Sequence, residues 1–305
     1  MTWLQETLGI RVPVVGAPMA GPGDGHLAHA VSQAGALGMV GVGSTRDGAW
    51  IAEQASVAAA GGTPYGIGLM AWALADNPGQ LDAVLALDPA PALVSVSFGG
   101  FAEPVRRLRA AGLRTATQIG NLADLRTAVD AGVDVVVARG AEAGGHGRNE
   151  MATLPLLQLV LAEAGRLPVL AAGGILDHRG VTAVLAAGAA GAWVGTAFLG
   201  CVEAASSPAA RQALLAATDT GYGRVFDVAQ RAPWPREFGG RAVRNDFFDR
   251  WVGREDEMDD AARAEHAAAV EAADFETAHL YAGQAVAGLR AERTAAEVVA
   301  ALTPR

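Results

Sequence analysis

Eight short apolar runs, each followed by a stretch of helical periodicity, constrain this chain more than any other feature. The runs lie at 12–17, 38–42, 65–70, 93–97, 114–119, 133–138, 168–171 and 191–194. The helical candidates between them lie at 26–33, 49–59, 80–87, 103–110, 122–131, 154–164 and 179–187. Several end on an Ala-Gly step (Ala34-Gly35, Ala111-Gly112, Ala131-Gly132, Ala187-Gly188), where glycine closes a helix with a left-handed residue. Short strands alternating with helices make parallel βαβ units. Eight such units are the number that closes a (β/α)8 TIM barrel, an α/β fold. A doubly wound open sheet has the same periodicity. With 305 residues, 51% of them hydrophobic, the chain can bury the core that either fold needs.

The pattern changes after Gly200. Residues 203–218 have helical spacing, 222–260 gather prolines, aromatics and clustered charge, and 261–272 and 283–302 read as two further helices. Residues 201–305 are therefore expected to be a helical and irregular extension that packs on the 1–200 barrel core within one domain, with 220–260 near its mouth.

The formal net charge of −9, with no basic stripe to offset it, excludes a nucleic-acid partner. No lysine occurs, which excludes Schiff-base chemistry on a lysine. Cys201 is the single cysteine, so neither a disulfide within the chain nor a thiolate metal site is expected. His26 and His29 stand three apart without a third ligand, and no metal site is expected there. The first residues, MTWLQETLGIRVPVV, lack the basic-then-apolar order of a secretory signal, and no apolar run is long enough to span a bilayer. A cytoplasmic protein without a membrane partner is the expectation.

Chemistry concentrates at the ends of four runs. The sixth leads into ARGAEAGGHGRNE, residues 138–150. Its glycines let the backbone approach a ligand, and His146 among them can exchange a proton near neutral pH. The seventh and eighth runs lead into Gly173-Gly174-Ile175 and Gly195-Thr196. In barrels, the loops after these two strands bind phosphate through backbone N–H groups. Small residues and a proline after the first run, Gly16-Ala17-Pro18-Met19-Ala20-Gly21, can form a shelf for a planar ring.

The segments GAPMAGPGDGHLAHAVSQAGALGMVGVG, VVVARGAEAGGHGR, LPVLAAGGILDHRGVTAVLAAGAAGAWVGTAFL and LYAGQAVAGLR occur in the order found in the nitronate monooxygenase family, formerly 2-nitropropane dioxygenases. The resemblance spans residues 10–301 and is weakest over 220–273. It implies a (β/α)8 barrel that holds FMN and oxidises alkyl nitronates, such as propionate 3-nitronate, with O2 to a carbonyl product and nitrite. By the same resemblance, Gly173, Gly174, Gly195 and Thr196 hold the FMN phosphate, and Trp193 and Val194 form the strand entering that site. Gly144 runs beside the flavin ring, Pro18, Met19 and Ala20 form the shelf on its other side, and His146 is the active-site histidine. The implied partners are a small nitronate or nitroalkane and O2.

Two positions depart from the family. Gly68 stands where the third strand usually carries a flavin-contacting Asn, and Arg139 stands where the sixth usually ends in Gln. Arg139 is expected either to place positive charge beside the flavin or to turn away and pair with Glu142 or Glu150. The competing functions are an FMN- and NADH-dependent enoyl-acyl-carrier-protein reductase on the same scaffold, for which the Arg231–Arg254 cluster would offer a docking face, and a flavin-free phosphate-binding barrel.

Overall fold

The computed structural model describes residues 1–305. Its strands, in chain order, are β1 (Val14–Gly16), β2 (Gly38–Gly41), β3 (Tyr65–Met70), β4 (Leu93–Ser97), β5 (Thr115–Ile119), β6 (Val135–Arg139), β7 (Gly145–His146), β8 (Val169–Ala172), β9 (Gly191–Val194), β10 (Thr220–Gly223) and β11 (Gly240–Val243). Eight of these form one parallel sheet in the order β1-β9-β8-β6-β5-β4-β3-β2. Leu37, just before β2, closes the ring onto β1. Its N–H donates to Val14 O at 3.0 Å, and its carbonyl accepts from Gly16 N–H at 2.8 Å. The fold is a (β/α)8 barrel, and closure excludes the open doubly wound sheet.

Alternation along the strands builds two core layers, because successive side chains point to opposite faces. Val135 and Val137 point into the barrel with Leu93, Leu170 and Trp193, while Val136 and Ala138 face the surrounding helices. An N-terminal helix absent from the sequence expectations, Trp3–Leu8, inserts Leu4 and Leu8 into the inner cluster. Together these side chains fill the barrel interior and leave the C-terminal strand ends to form a site. The seven helices anticipated between strands are present to within two residues at each end, as Gly25–Gln33, Gly48–Ala58, Gly79–Leu85, Ala102–Ala110, Leu122–Ala131, Thr153–Glu163 and His178–Ala186. Asp24 caps the first of them, accepting from His26 and Leu27 N–H. The chain's last helix, Ala295–Leu302, packs between Gly25–Gln33 and His178–Ala186 and completes the outer ring. No helix is long and apolar enough to cross a membrane.

Beyond β9 the expectations need correcting. The helix expected over 203–218 is confined to Pro208–Ala216, because Ser207 caps it and Pro208 occupies its first position. The segment 283–302 is not one helix. A 3-10 turn, Gln284–Gly288, ends at glycine, and Thr294 starts a new helix through a reciprocal capping box with Glu297. The segment 222–260 is more ordered than an irregular excursion. The strands β10 and β11 pair antiparallel, and β11 continues onto β7, with Gly240 opposite His146 and Arg241 opposite Gly145. Helices Val225–Gln230 and Asp246–Trp251 stand on a small core of Val225, Phe226, Phe247, Phe248 and Met258.

Candidate active site

A cavity of about 620 Å³ opens at the C-terminal ends of the barrel strands. All thirteen residues nominated from the sequence line it: Pro18, Met19, Ala20, Gly68, Arg139, Gly144, His146, Gly173, Gly174, Trp193, Val194, Gly195 and Thr196. They converge because each sits at or just beyond the end of a parallel strand.

The strongest polar contact belongs to His146. Its Nε2 lies 2.7 Å from Asp227 Oδ1, and the two side chains are only 9% and 2% exposed. A carboxylate at that distance keeps a proton on Nε2 and leaves Nδ1 as the nitrogen free for a ligand. The imidazole lies flat on Trp234, with ring centroids 3.7 Å apart and planes 3° from parallel. Tyr281 packs at 4.9 Å, and its hydroxyl donates to Asp227 Oδ1 at 3.4 Å. Burial, reinforced by Asp227, pushes the Tyr281 phenol up, so it remains a neutral donor. Asp227 Oδ2 is buried and has no partner.

Behind this pair, His279 Nδ1 lies 3.3 Å from His266 Nε2. Burial, and next the neighbouring His266, push His279 down to about 4 against attraction from Asp227. Burial lowers His266 as well. A histidine held neutral in the fold binds fewer protons than it does unfolded, so stability rises with pH wherever the two states differ. For His279 that window runs from 6.5 down to about 4. Melting temperature is therefore expected to fall on acidification through this window, and to fall less steeply in His279→Phe than in the native chain. Parallel curves for the two would exclude His279 as a source of the acid limb.

The loop carrying His146 is braced from both sides. The Arg139 guanidinium donates to the carbonyls of Gly145 at 2.8 Å, Gly144 at 3.0 Å, Ala143 at 3.1 Å and Arg148 at 3.4 Å. The expected pairing with Glu142 or Glu150 does not occur, because Glu142 accepts from Thr153 and Glu150 from Asn121 and Arg148. Burial lowers Arg139 to about 10, which still leaves it cationic at neutral pH. From the extension, Arg241 donates to Ala141 O at 2.7 Å and Asn149 Oδ1 at 3.1 Å, and Tyr222 donates to Gly147 O at 2.9 Å.

On the opposite side lies a donor-rich cradle. The backbone N–H groups of Gly173, Gly174 and Gly195 have no acceptor within the chain. Gly173 and Gly174 have φ values of +119° and +71°, the region that favours glycine, and a Cβ on Gly173 would lie 2.4 Å from Thr153 Oγ1. Thr196 Oγ1 accepts from Gly283 N–H at 2.9 Å, which frees its own proton for a ligand. Such a set fits a phosphate, since converging backbone N–H groups, half-buried at Gly173 and Gly195 and open to the cavity at Gly174, are free to meet an anion. Across the cavity, Pro18 packs against Gly68, where a Cβ would lie 2.3 Å from Pro18 Cγ. The proline ring fills the space an Asn side chain would take.

The family model described as nitronate monooxygenase matches residues 1–305. This chain belongs to the nitronate monooxygenase family. A nitronate monooxygenase from Paraburkholderia phytofirmans is 34% identical over 98% of this chain and 93% of its own length. Among solved structures, the nitroalkane oxidase of Streptomyces ansochromogenes superposes with a TM-score of 0.81 at 29% identity, covering 98% of this chain and 96% of that one. FabK from Thermotoga maritima superposes with a TM-score of 0.84 at 25% identity, covering 99% and 94%. The chain is thus an oxidoreductase of the nitronate monooxygenase type, as the sequence resemblance implied.

In this family member, several residues of the site escaped sequence reasoning: Asp227, Trp234, His279 and Tyr281 from the extension, and Trp72, Phe98 and Gln118 from the barrel. One signal was available. In VFDVAQ an aspartate stands among Val225, Phe226 and Ala229, all buried, and an acid on an apolar face calls for a partner.

Proposed function

We propose that this chain binds FMN at the C-terminal end of the barrel and oxidises alkyl nitronates with O2 to a carbonyl compound and nitrite. The observation that carries the reading is the buried His146–Asp227 pair facing the same cavity as a set of backbone donors that have no acceptor in the chain. Gly173, Gly174, Gly195 and Thr196 would hold the FMN phosphate. Pro18, Met19, Ala20 and Gly68 would flank one side of the ring and Gly144 the other, with Trp193 and Val194 forming the strand into the cradle. Bound FMN would supply the electron acceptor for the substrate, with O2 as the final oxidant.

His146 then has two tasks. With Asp227 holding the proton on Nε2, Nδ1 can take the α-proton of a neutral nitroalkane. Once protonated there, it donates an N–H to the nitronate, and the Asp227 carboxylate offsets the imidazolium charge. Trp234 fixes the imidazole plane and Arg139 fixes the backbone beneath it.

The deciding experiment is oxygen uptake by FMN-loaded protein given propionate 3-nitronate without NADH. Uptake with nitrite release supports the reading. NADH oxidation only in the presence of an enoyl thioester would favour the reductase that the FabK likeness brings in, and a protein without FMN affinity would favour the flavin-free barrel. The exposed arginines that could dock an acidic carrier each have a carboxylate beside them: Arg231 has Asp260, Arg236 Asp256, Arg244 Asp249, Arg250 Glu265 and Arg254 Glu257, so this face carries no net positive patch. Gly68→Asn, which restores the residue usual in the family, is expected to weaken FMN binding about tenfold or more, because Pro18 must yield. A fluorescence titration with FMN measures this, and unchanged affinity would mean that Pro18 moves freely.

A further inference from the structure

We propose that the side group of the preferred substrate is aromatic, and that Trp72, Phe98 and Trp234 form the wall that seats it. The inference rests on the nitronate reading above and narrows it to aryl and arylalkyl nitronates.

Three separate segments supply the wall. Trp72 lies in the short helix Ala71–Asp76 after β3, Phe98 follows β4, and Trp234 comes from the extension between β10 and β11. All three line the cavity. Trp234 contacts Trp72 at a centroid distance of 5.1 Å and Phe98 at 5.4 Å, the latter edge-to-face. Because Trp234 also stacks on His146, the aromatic surface runs without interruption to the nitrogen that would meet the reacting carbon. Phe98 takes φ +69°, a left-handed conformation that is unfavourable for an aromatic residue and persists only where its surroundings hold it. That backbone turn sets its ring against Trp234 and Phe238.

Charge makes the complementary case. The charged side chains lining the cavity, apart from histidines, are Arg46, Arg139, Glu142 and Asp227. Arg139 is committed to loop carbonyls and Glu142 to Thr153. Arg46 is exposed on the loop after β2, with its guanidinium 4.9 Å from the Trp50 ring centroid. Beside the aromatic wall stands Asp227, an anion. A remote carboxylate on the substrate therefore meets repulsion beside Trp234, whereas an aryl ring finds ring faces and edges. Aromatic pairs attract through offset and edge-to-face contacts beyond what their buried area alone supplies.

The test compares kcat/KM for phenylmethane nitronate, ethane nitronate and propionate 3-nitronate on FMN-loaded protein. The aryl substrate is expected to exceed ethane nitronate by about tenfold or more, and propionate 3-nitronate to show no advantage over ethane nitronate. In Trp72→Ala the ratio of aryl to ethyl should fall toward one. The ratio is read within each variant, so partial loss of active protein cancels, and Phe98→Leu offers a milder second change. Equal rates for aryl and ethyl substrates in the native chain, or a ratio insensitive to both substitutions, would overturn the proposal. If no nitronate is consumed, the functional reading fails separately. Quenching of tryptophan fluorescence by phenylnitromethane and nitroethane then decides the wall, with about tenfold tighter aryl binding supporting it and equal binding overturning it.

Discussion

Replacing His146 with asparagine is expected to leave FMN bound and to reduce nitronate turnover by about 10²–10⁴-fold, the usual worth of a positioned acid–base group. The backbone donors proposed for the phosphate stand on the loops after β8 and β9 and make no hydrogen bond to the imidazole, so the two properties separate. Flavin content per chain and oxygen uptake measure them independently. Undiminished turnover would place the chemistry on another residue. Loss of flavin along with turnover would mean that His146 holds the ring more than it moves a proton.

The second large effect belongs to Asp227. Asp227→Asn keeps the shape of a side chain only 2% exposed while removing the charge that holds the Nε2 proton. Turnover of neutral nitroalkanes, which need the α-proton removed, is expected to drop about 10²-fold or more. Pre-formed nitronates, which arrive without that proton, should lose less. Measuring both substrates on one preparation separates a positioning role from simple damage, since damage would lower both alike. Tyr281→Phe provides a control. Its hydroxyl reaches Asp227 at 3.4 Å, a weak contact, and its loss should cost far less than that of the carboxylate.

The barrel was legible because each strand is a compact apolar run and each helix carries its own stop. Val135 to Val137 show the limit of that reading. All three are buried, and only closure of the ring separates those facing inward from Val136, which faces the helices. The cavity residues were legible for the same reason that they converge, since each lies near or just beyond the C-terminal end of a strand of a parallel barrel. The partners of His146 were not. Asp227 lies 81 positions along the chain, and nothing near His146 specifies it. Arg139 shows a further limit. A cation near two glutamates suggests ion pairs, yet four carbonyls of a tight loop claim its guanidinium first.

The pairing of β7 with β11 has a consequence for how such proteins diverge. The backbone donors after β8 and β9 are written into the barrel, while the carboxylate that meets the histidine and the indole that covers it are written into the segment where the family resemblance is faintest. Drift in that segment changes what surrounds the histidine and leaves the donors after β8 and β9 in place. Two descendants of one ancestor can thus keep the same barrel and part company in chemistry by rewriting a few dozen residues that never enter it.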